Sequence, residues 1–352
     1  MTLPGPLRSA LRLLPGLLLP GLLLAALLLP TQALAQTFCV YDPLGAGGDY
    51  YSMFKDYQLA AKRWGVTIDL KAYTDDSQLD DAFKTGQCDM ASMIGMRARQ
   101  YNLFTGTLDA PSVIENYAQV REIMAIVTSP KLGKYMVSDG GYEVVGMVPV
   151  GGAYAIVNDR YINSLERGAG KKVAIMAWDK TQPMMADDFK VTPVPTQLPL
   201  MGSLFNKGAV DMVIVPIVVY KALELNKGVG SKGGIVRRPM FEFTMQVVTH
   251  ADKFPADFGQ KSREYMFTQT DHALGIIRNL EAGVDARLWI YAVHSEVNEW
   301  NTTMRALLDH MTRQGYYDRR MLALLKRVRC KTDVEEPECA PTVEQQKSAG
   351  HP

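Results

Sequence analysis

Residues 38–94 read FCVYDPLGAGGDYYSMFKDYQLAAKRWGVTIDLKAYTDDSQLDDAFKTGQCDMASMI, and this stretch decides the fold. Apolar runs at 38–41, 66–73 and 90–94 predict three strands. Between them, apolar residues recur every three or four positions at 50–64 and 77–85, which predicts two helices, and a glycine follows each of them. This alternation of strand and helix predicts a parallel sheet with helices on both of its faces.

A second unit of the same kind follows residue 150. Its strands and helices are predicted at 172–177, 180–189, 191–195, 198–207 and 212–215. The extended segment 241–249 is predicted to cross back to the first unit, and residues 259–327 are predicted to be helical. The chain is longer than one hydrophobic core usually supports, so two lobes are expected.

We therefore predict an α/β fold of two lobes, with two parallel-rich sheets flanked by helices and a cleft between the lobes. Residues 36–150 together with about 245–330 form lobe I and its helical return, and residues 151–244 form lobe II. Residues near Gly151-Gly152 and the segment 241–249 are expected to act as the hinge. The polar segment 331–352 is expected to be a tail without a core.

The first 35 residues have the features of a cleavable signal peptide. Arg8 and Arg12 precede an uncharged leucine-rich stretch, and Ala33-Leu34-Ala35 offers a cleavage site before Gln36. The alternative is an uncleaved membrane anchor, since a run of about 20 apolar residues can span a bilayer. Cleavage after Ala35 would place the mature chain in the periplasm, with its formal charge changed from +1 to −1. That charge gives no reason to expect a nucleic acid as partner.

Four cysteines in an exported chain favour disulfide bonds over free thiols. Three pairings are possible, and we predict Cys39–Cys88 and Cys330–Cys339. Cys39 and Cys88 each begin an apolar run that is predicted to be a strand, and Cys330 and Cys339 flank a predicted turn. There is no CxxC motif and no histidine beside any of the four, so neither a metal nor a cofactor is expected.

Ligands of open α/β sheets bind at the carboxyl ends of the strands, which selects the first candidate residues. The turn after the first strand contains Asp42, Asp49 and Tyr50 together with three glycines, and glycines let backbone amides approach a ligand closely. The alternative is an ordinary turn in which Asp49 caps the helix that follows.

Two arginines and two aromatic residues complete the candidate set. Arg97 and Arg99 follow the third strand, and their planar guanidinium groups suit a carboxylate or a phosphate. The alternative is a solvated helix start with surface ion pairs. Tyr154 and Trp178 lie at predicted strand ends of the second lobe and are candidates for the wall of the cleft, with a core or hinge role as the alternative. No nucleophile, base and orienting group can be placed together, so an enzyme is not expected.

Three segments carry a resemblance to a known family. GKKVAIMA at 170–177 and VPTQLPLMGSLFNKGAVDMVI at 194–214 resemble segments of the TRAP-type (tripartite ATP-independent periplasmic) solute-binding proteins. FCVYDPLGAGGDYY at 38–51 is similar to a group of related solute-binding proteins, some of which carry an efflux-pump label. The resemblance covers most of residues 36–325. It implies a two-lobed periplasmic binding protein that captures a small molecule, an organic acid or a similar metabolite, and delivers it to inner-membrane transporter subunits.

Two departures from the family's pattern concern the ligand. The resemblance implies an arginine for the ligand carboxylate near the first strand of the second lobe, but this chain has Ala153-Tyr154 and Val173-Ala174-Ile175 there. Val215-Pro216 also replaces polar residues of the family. We therefore expect Arg97 or Arg99 to take the arginine's role from the opposite lobe. The alternatives are an efflux-associated envelope protein that uses the same fold for interactions and, behind it, an exported hydrolase.

Overall fold

The computed structural model describes residues 35–291, 294–332 and 337–339. Within these ranges a single mixed sheet forms the centre of the protein. Its strands are β1 (Gln36–Tyr41), β2 (Ile68–Tyr73), β3 (Met90–Ile94), β4 (Tyr142–Val157), β5 (Lys172–Met176), β6 (Thr192–Thr196), β7 (Met212–Pro216), β8 (Gly234–His250) and β9 (Trp289–Ile290).

The sheet has the strand order β2-β1-β3-β8-β4-β7-β5-β6, with β9 beside β8. At one end β1 pairs in parallel with β2 and β3, and at the other end β5 pairs in parallel with β6 and β7. The long strands β4 and β8 run antiparallel to each other, β8 runs antiparallel to β3, and β4 runs antiparallel to β7. The short strand β9 pairs with β8 in parallel. The molecule therefore contains two parallel sets of three strands, joined by one antiparallel pair.

Helices cover this sheet. They are α1 (Asp49–Arg63), α2 (Asp76–Lys84), α3 (Gly95–Ala98), α4 (Leu103–Gly106), α5 (Tyr117–Thr128), α6 (Gly133–Met136), α7 (Leu165–Gly168), α8 (Thr181–Asp188), α9 (Leu198–Asn206), α10 (Asn226–Val229), α11 (Phe258–Thr268), α12 (Thr270–Ala282), α13 (His294–Arg313) and α14 (Arg319–Thr332). The face of α1 predicted from its spacing is largely the buried one: Phe54, Tyr57 and Ala61 are fully buried, and Tyr50 is partly buried. The α/β class and the alternation over residues 38–94 are confirmed.

The two predicted sheets are continuous with each other, which the sequence interpretation missed. The residues on both sides of Gly151-Gly152, which were expected to act as a hinge, belong to the one strand β4, and the segment 241–249 is the second half of β8. Gly151 lies inside β4 with φ of +106°, a conformation that favours glycine, and the pairing with β8 shifts register beside it. The glycine pair therefore marks a β-bulge within a strand. It lies directly opposite Glu242 and Phe243 of the other predicted hinge segment.

Both predicted disulfide bonds are confirmed. Cys39 in β1 is bonded to Cys88 just before β3, with the two Cα atoms 5.8 Å apart. Because β1 and β3 are neighbouring parallel strands, the two side chains meet without distortion of the sheet. Cys330 and Cys339, with Cα atoms 5.3 Å apart, join the end of α14 to the short 3₁₀ turn at 337–339.

Two sequence predictions fall on other parts of the chain. The leader, including the cleavage site after Ala35, lies almost wholly outside the described residues, as does most of the segment 331–352. Within the described part of the chain, no helix combines the length and the apolar character needed to cross a bilayer.

Candidate ligand-binding site

A cavity of about 160 Å³ lies where the strands of the two parallel sets end. The last residues of β1, β3, β5 and β7 all line it: Tyr41, Ile94, Met176 and Pro216. Parallel strands bring their carboxyl ends to one edge of a sheet, and the backbone there is free to face a ligand. The cavity therefore lies at the edge that strand direction alone predicts for a ligand.

The strand β8 contributes one face to this cavity. Phe241, Phe243 and Met245 line it, as side chains two residues apart do on a strand. Glu242, Thr244 and Gln246 alternate with them, do not line the cavity, and are buried. One strand thus separates an apolar wall from a buried polar layer.

The polar layer is hydrogen-bonded to the first turn of α3 through Asp109. Asp109 accepts hydrogen bonds from the backbone N–H of Met96 at 3.0 Å and from the hydroxyl of Thr244 at 2.7 Å. Burial raises the pKa of Asp109 to about 7, although these hydrogen bonds act in the opposite direction. Burial also raises the pKa of Glu242 well above its ordinary value, and the nearby carboxylates of Glu281 and Asp109 add to that effect. The Oε2 atom of Glu242 has no hydrogen-bond partner among the described residues.

The turn after β1 presents one of its three candidates to the cavity. Tyr50 lines the cavity, whereas Asp42 and Asp49 do not. Asp42 is buried and accepts hydrogen bonds from the N–H groups of Leu44, Tyr50 and Tyr51, at 2.9 to 3.2 Å. A Cβ atom on Gly48 would lie 1.9 Å from the Asp42 carboxylate, so glycine is required there. Asp42 thus satisfies the first N–H groups of α1, while Asp49 is exposed in its first turn.

Arg97 lies in a buried ion-pair cluster and does not line the cavity. Its guanidinium group contacts Asp76 at 2.7 Å and Asp80 at 3.1 Å, and all three side chains are at most 4% exposed. It also donates to the hydroxyl of Ser77 at 3.1 Å. The ring centroid of Trp178 lies 3.9 Å from the guanidinium carbon, which is a close cation–π contact.

Arg99 is held by a carboxylate from the second parallel set. Its Nη2 atom donates to Asp179 at 2.8 Å and to Thr181 at 3.2 Å, and the Asp179 side chain is 1% exposed. Its Nη1 atom is buried and has no acceptor among the described residues. Tyr317 lies under the guanidinium at 5.1 Å. The alternative of solvated surface ion pairs is therefore wrong for both arginines.

These contacts join the segment after β3 to the segment after β5. We name Arg97, Arg99, Trp178, Asp179 and Thr181 the arginine clasp. Three of the sequence candidates, Arg97, Arg99 and Trp178, meet in the arginine clasp, and none of them lines the cavity. Gln182 extends the same connection, since its amide nitrogen lies 3.1 Å from the sulfur of Met96 and its oxygen accepts from the N–H of Met176.

The remaining candidate, Tyr154, lies in β4 away from the cavity. Its hydroxyl donates to Glu281 at 2.8 Å, and Tyr117 donates to the same carboxylate. Burial, together with the negative charge of Glu281, raises the pKa of Tyr154. Its ring packs edge-on against Trp289 at 5.2 Å, so Tyr154 connects β4 to α12 and to β9.

Sequence reasoning missed the apolar residues that make up most of the wall. The missed residues include Ile94, Met176, Met185, Leu198, Met201, Val215, Phe241 and Met245. Ile94, Met176 and Val215 lie at or next to the ends of strands, which was the available signal for them. Met185, Leu198 and Met201 lie in α8 and α9, where no such signal was available. Asp179, which pairs with Arg99, follows β5 by three residues and carried the same signal.

Comparisons with known proteins agree with this architecture. A sequence model of the family described as "Solute-binding protein AdeT 1/2" matches residues 58–344. The "Probable solute-binding protein AdeT1" of Acinetobacter baumannii is 38% identical over 301 residues, which cover 86% of this chain and 99% of the relative. The "Probable solute-binding protein AdeT2" of the same organism is 23% identical over 66% of this chain and 98% of its own length.

Solved structures show the same fold. A TRAP periplasmic solute-binding protein from Ralstonia eutropha H16, with bound (S)-2-acetolactate, has a TM-score of 0.67 at 13% identity over 84% of this chain and 99% of its own. A second, from Haemophilus influenzae with bound L-gulonate, has a TM-score of 0.67 at 11% identity over the same shares. The extent of the family match and the identity to the Acinetobacter relative show that this chain belongs to the AdeT 1/2 family of solute-binding proteins, with the fold of the TRAP periplasmic binding proteins that its sequence resembles.

Proposed function

We propose that this protein is a periplasmic receptor that closes two lobes around a small molecule and passes it to inner-membrane transporter subunits. Lobe I comprises residues 36–150 and about 245–330, and lobe II comprises residues 151–244. The supporting observation is the cavity at the carboxyl ends of β1, β3, β5 and β7, which takes its wall from both parallel sets of strands. The protein performs no chemistry on its ligand.

The arginine clasp supports a closure mechanism. Arg99 follows β3 in lobe I, and Asp179 follows β5 in lobe II, so their ion pair spans the two lobes at 2.8 Å. The bulge at Gly151-Gly152 lies beside Glu242 and Phe243 where β4 and β8 cross between the lobes. In this proposal, rotation occurs at that paired segment, and the clasp forms in the closed state and favours it.

Ligand-dependent stability tests the proposal. Mature protein, expressed from the full gene and purified from the periplasm, is screened by thermal unfolding against a broad library of neutral and acidic metabolites. At least one compound should raise the unfolding midpoint in proportion to the logarithm of its concentration. In Asp179→Asn the same compound should bind more weakly, because a smaller fraction of the protein is closed.

A matched control separates closure from general loss of stability. Asp271→Asn alters an ion pair with Arg121 in which both side chains are more than half exposed, so ligand affinity should stay at the wild-type value. The absence of any stabilising compound would overturn the proposed function. Equal affinity of Asp179→Asn and wild type would overturn the role of the clasp in closure.

Export is tested by the mature N-terminus. Cleavage after Ala35 predicts that the periplasmic protein begins at Gln36, which intact-mass measurement reads directly. A retained leader in the membrane fraction would contradict a freely diffusing receptor. Chemical crosslinking of the ligand-loaded protein in whole cells should recover an integral membrane protein, and a lack of any such crosslink would argue against delivery to a transporter.

A further inference from the structure

The chemistry of the cavity wall indicates what kind of ligand the site takes. This inference rests on the proposed function and adds the class of ligand to it. We infer that the cavity binds an uncharged, mainly apolar molecule about the size of a single substituted aromatic ring. The solved relatives with bound acetolactate and gulonate carry ligands of the opposite character.

The wall has few polar groups that could replace the water molecules around an ionised ligand. Ile94, Met176, Met201, Val215, Phe243 and Met245 are buried apolar residues that line it. An ionised carboxylate taken out of water loses its hydration and needs charged or hydrogen-bonding partners in return. An apolar molecule loses nothing comparable and gains from the area that it buries.

The nearby cations are already neutralised. Arg97 is paired with Asp76 and Asp80, and Arg99 is paired with Asp179; neither arginine lines the cavity. A ligand carboxylate would have to displace a buried aspartate, which would leave a second negative charge without its partner.

The charged residues that line the cavity lie towards solvent and have opposite signs. Among the described lining residues these are Arg238, which is partly exposed, and Glu299, which is exposed. Arg238 also donates to Asn301. The formal charges of these two lining residues therefore sum to zero.

Polar side chains in the wall are engaged as well. Gln182 uses its oxygen for the N–H of Met176 and its nitrogen for Met96 and Asp179. The indole nitrogen of Trp300 donates to Ser112 at 3.1 Å. Tyr50 is the sequence candidate that remains at the cavity, and its ring adds further apolar surface.

The size of the cavity sets the size of the ligand. Its volume of about 160 Å³ is close to that of an engineered apolar cavity of about 150 Å³ in another protein, which stays dry and takes up benzene. Methionine is abundant in this wall, at Met176, Met185, Met201, Met240 and Met245. Methionine side chains are flexible and polarisable, so the wall can adapt to several ring-shaped ligands.

The test compares two probes of nearly the same shape and different charge. Toluene and benzoate are titrated into the mature protein at pH 7.5, with binding followed by calorimetry and by the methyl signals of ¹³C-methionine. Toluene should bind at least roughly ten-fold more tightly than benzoate, because the carboxylate must be desolvated without a free cation to receive it. The methyl groups of Met176, Met201 and Met245 should shift on adding toluene.

The protein supplies its own control residues for this experiment. Met90, Met136 and Met321 are fully buried and do not line the cavity, so their methyl signals should stay in place. Benzoate binding as tight as toluene, with shifts at the lining methionines, would overturn the ligand class and leave solute binding standing. Toluene that shifts only the control methionines, or no binding of either probe, would overturn the inference. Failure of the whole metabolite library would separately overturn the proposed function.

Discussion

The arginine clasp and the cavity lie at the same edge of the sheet and differ in almost every chemical respect. The clasp concentrates buried charge, with Arg97 and Arg99 matched by Asp76, Asp80 and Asp179. The cavity wall is built from aliphatic, sulfur-containing and aromatic side chains. Both regions take residues from the segments of the two parallel sets of strands, so both would be affected by the closure proposed above.

The difference between the clasp and the cavity wall shows where buried charge is used in this protein. Buried ion pairs have strict geometric requirements, so they can define one arrangement of the segments that carry them. An apolar wall is non-directional and tolerates ligands of varied shape. In this chain the buried ion pairs connect segments of the same chain to one another. The proposed ligand site is lined mainly by apolar side chains, whose contacts are non-directional.

Breaking the clasp should have the largest effect on stability. Asp179→Ala leaves the guanidinium of Arg99 buried without its carboxylate, and the free energy of unfolding should fall by about 3–5 kcal/mol. Urea titration followed by circular dichroism measures the change. Asp271→Ala, which breaks the exposed pair with Arg121, should cost less than about 1 kcal/mol. Equal losses in the two variants would remove the distinction between the clasp and surface ion pairs.

A truncation in the cavity wall should cost less than the same truncation in the core. Met90 is fully buried in β3 and does not line the cavity, so Met90→Ala should destabilise the fold by about 4 kcal/mol. Met201 already adjoins open space, so Met201→Ala should cost about 2 kcal/mol, at the low end for this substitution. Unfolding curves in urea give both values. A larger loss at Met201 would mean that the wall is part of the packed core.

The polar layer behind the cavity wall should respond to pH. Burial and the neighbouring carboxylates raise the pKa of Glu242 in the folded state, so folding is favoured at low pH and loses that contribution as pH rises through the raised pKa. Glu242→Gln removes the buried charge and should stabilise the protein by about 1–2 kcal/mol wherever Glu242 is ionised in the wild type. The gain should shrink as pH falls, because the raised pKa favours the protonated form of Glu242. Thermal unfolding of both proteins between pH 5 and 8 measures this, and a gain that grows on acidification would contradict it.

Local pattern was sufficient to predict the first three strands of this fold and the two helices between them. Strand–helix alternation over residues 38–94 depends on periodicity within short windows, and the Cys39–Cys88 bond follows from the adjacency of β1 and β3. The continuity of β4 through Gly151 could not be read in the same way. A glycine pair is typical of a break between two strands. Here the pairing with residues of β8, which lie about 90 positions further along the chain, keeps β4 continuous.

The candidate site was predicted less well, for a reason of the same kind. The carboxyl ends of the strands were the correct edge, and Tyr50 lines the cavity there. What the sequence did not reveal is that the charge of Arg99 is matched by Asp179, which lies 80 residues further along the chain. Whether an arginine is available to a ligand depends on such long-range partners, and spacing along the chain contains no information about them.

The smallest expected effect comes from the turn after β1, where two aspartates have different roles. Asp49 is exposed in the first turn of α1, so Asp49→Asn should lose only its interaction with the helix dipole, at most about 0.5 kcal/mol. Asp42→Asn weakens a buried acceptor of three N–H groups and should cost more, about 1–2 kcal/mol. Urea unfolding and toluene titration of both variants measure stability and binding side by side. Because neither carboxylate lines the cavity, toluene affinity should remain within about two-fold of wild type in Asp49→Asn. A large loss of toluene affinity in Asp49→Asn would show that a carboxylate contributes to ligand recognition. The contrast between the clasp and the cavity would then be wrong.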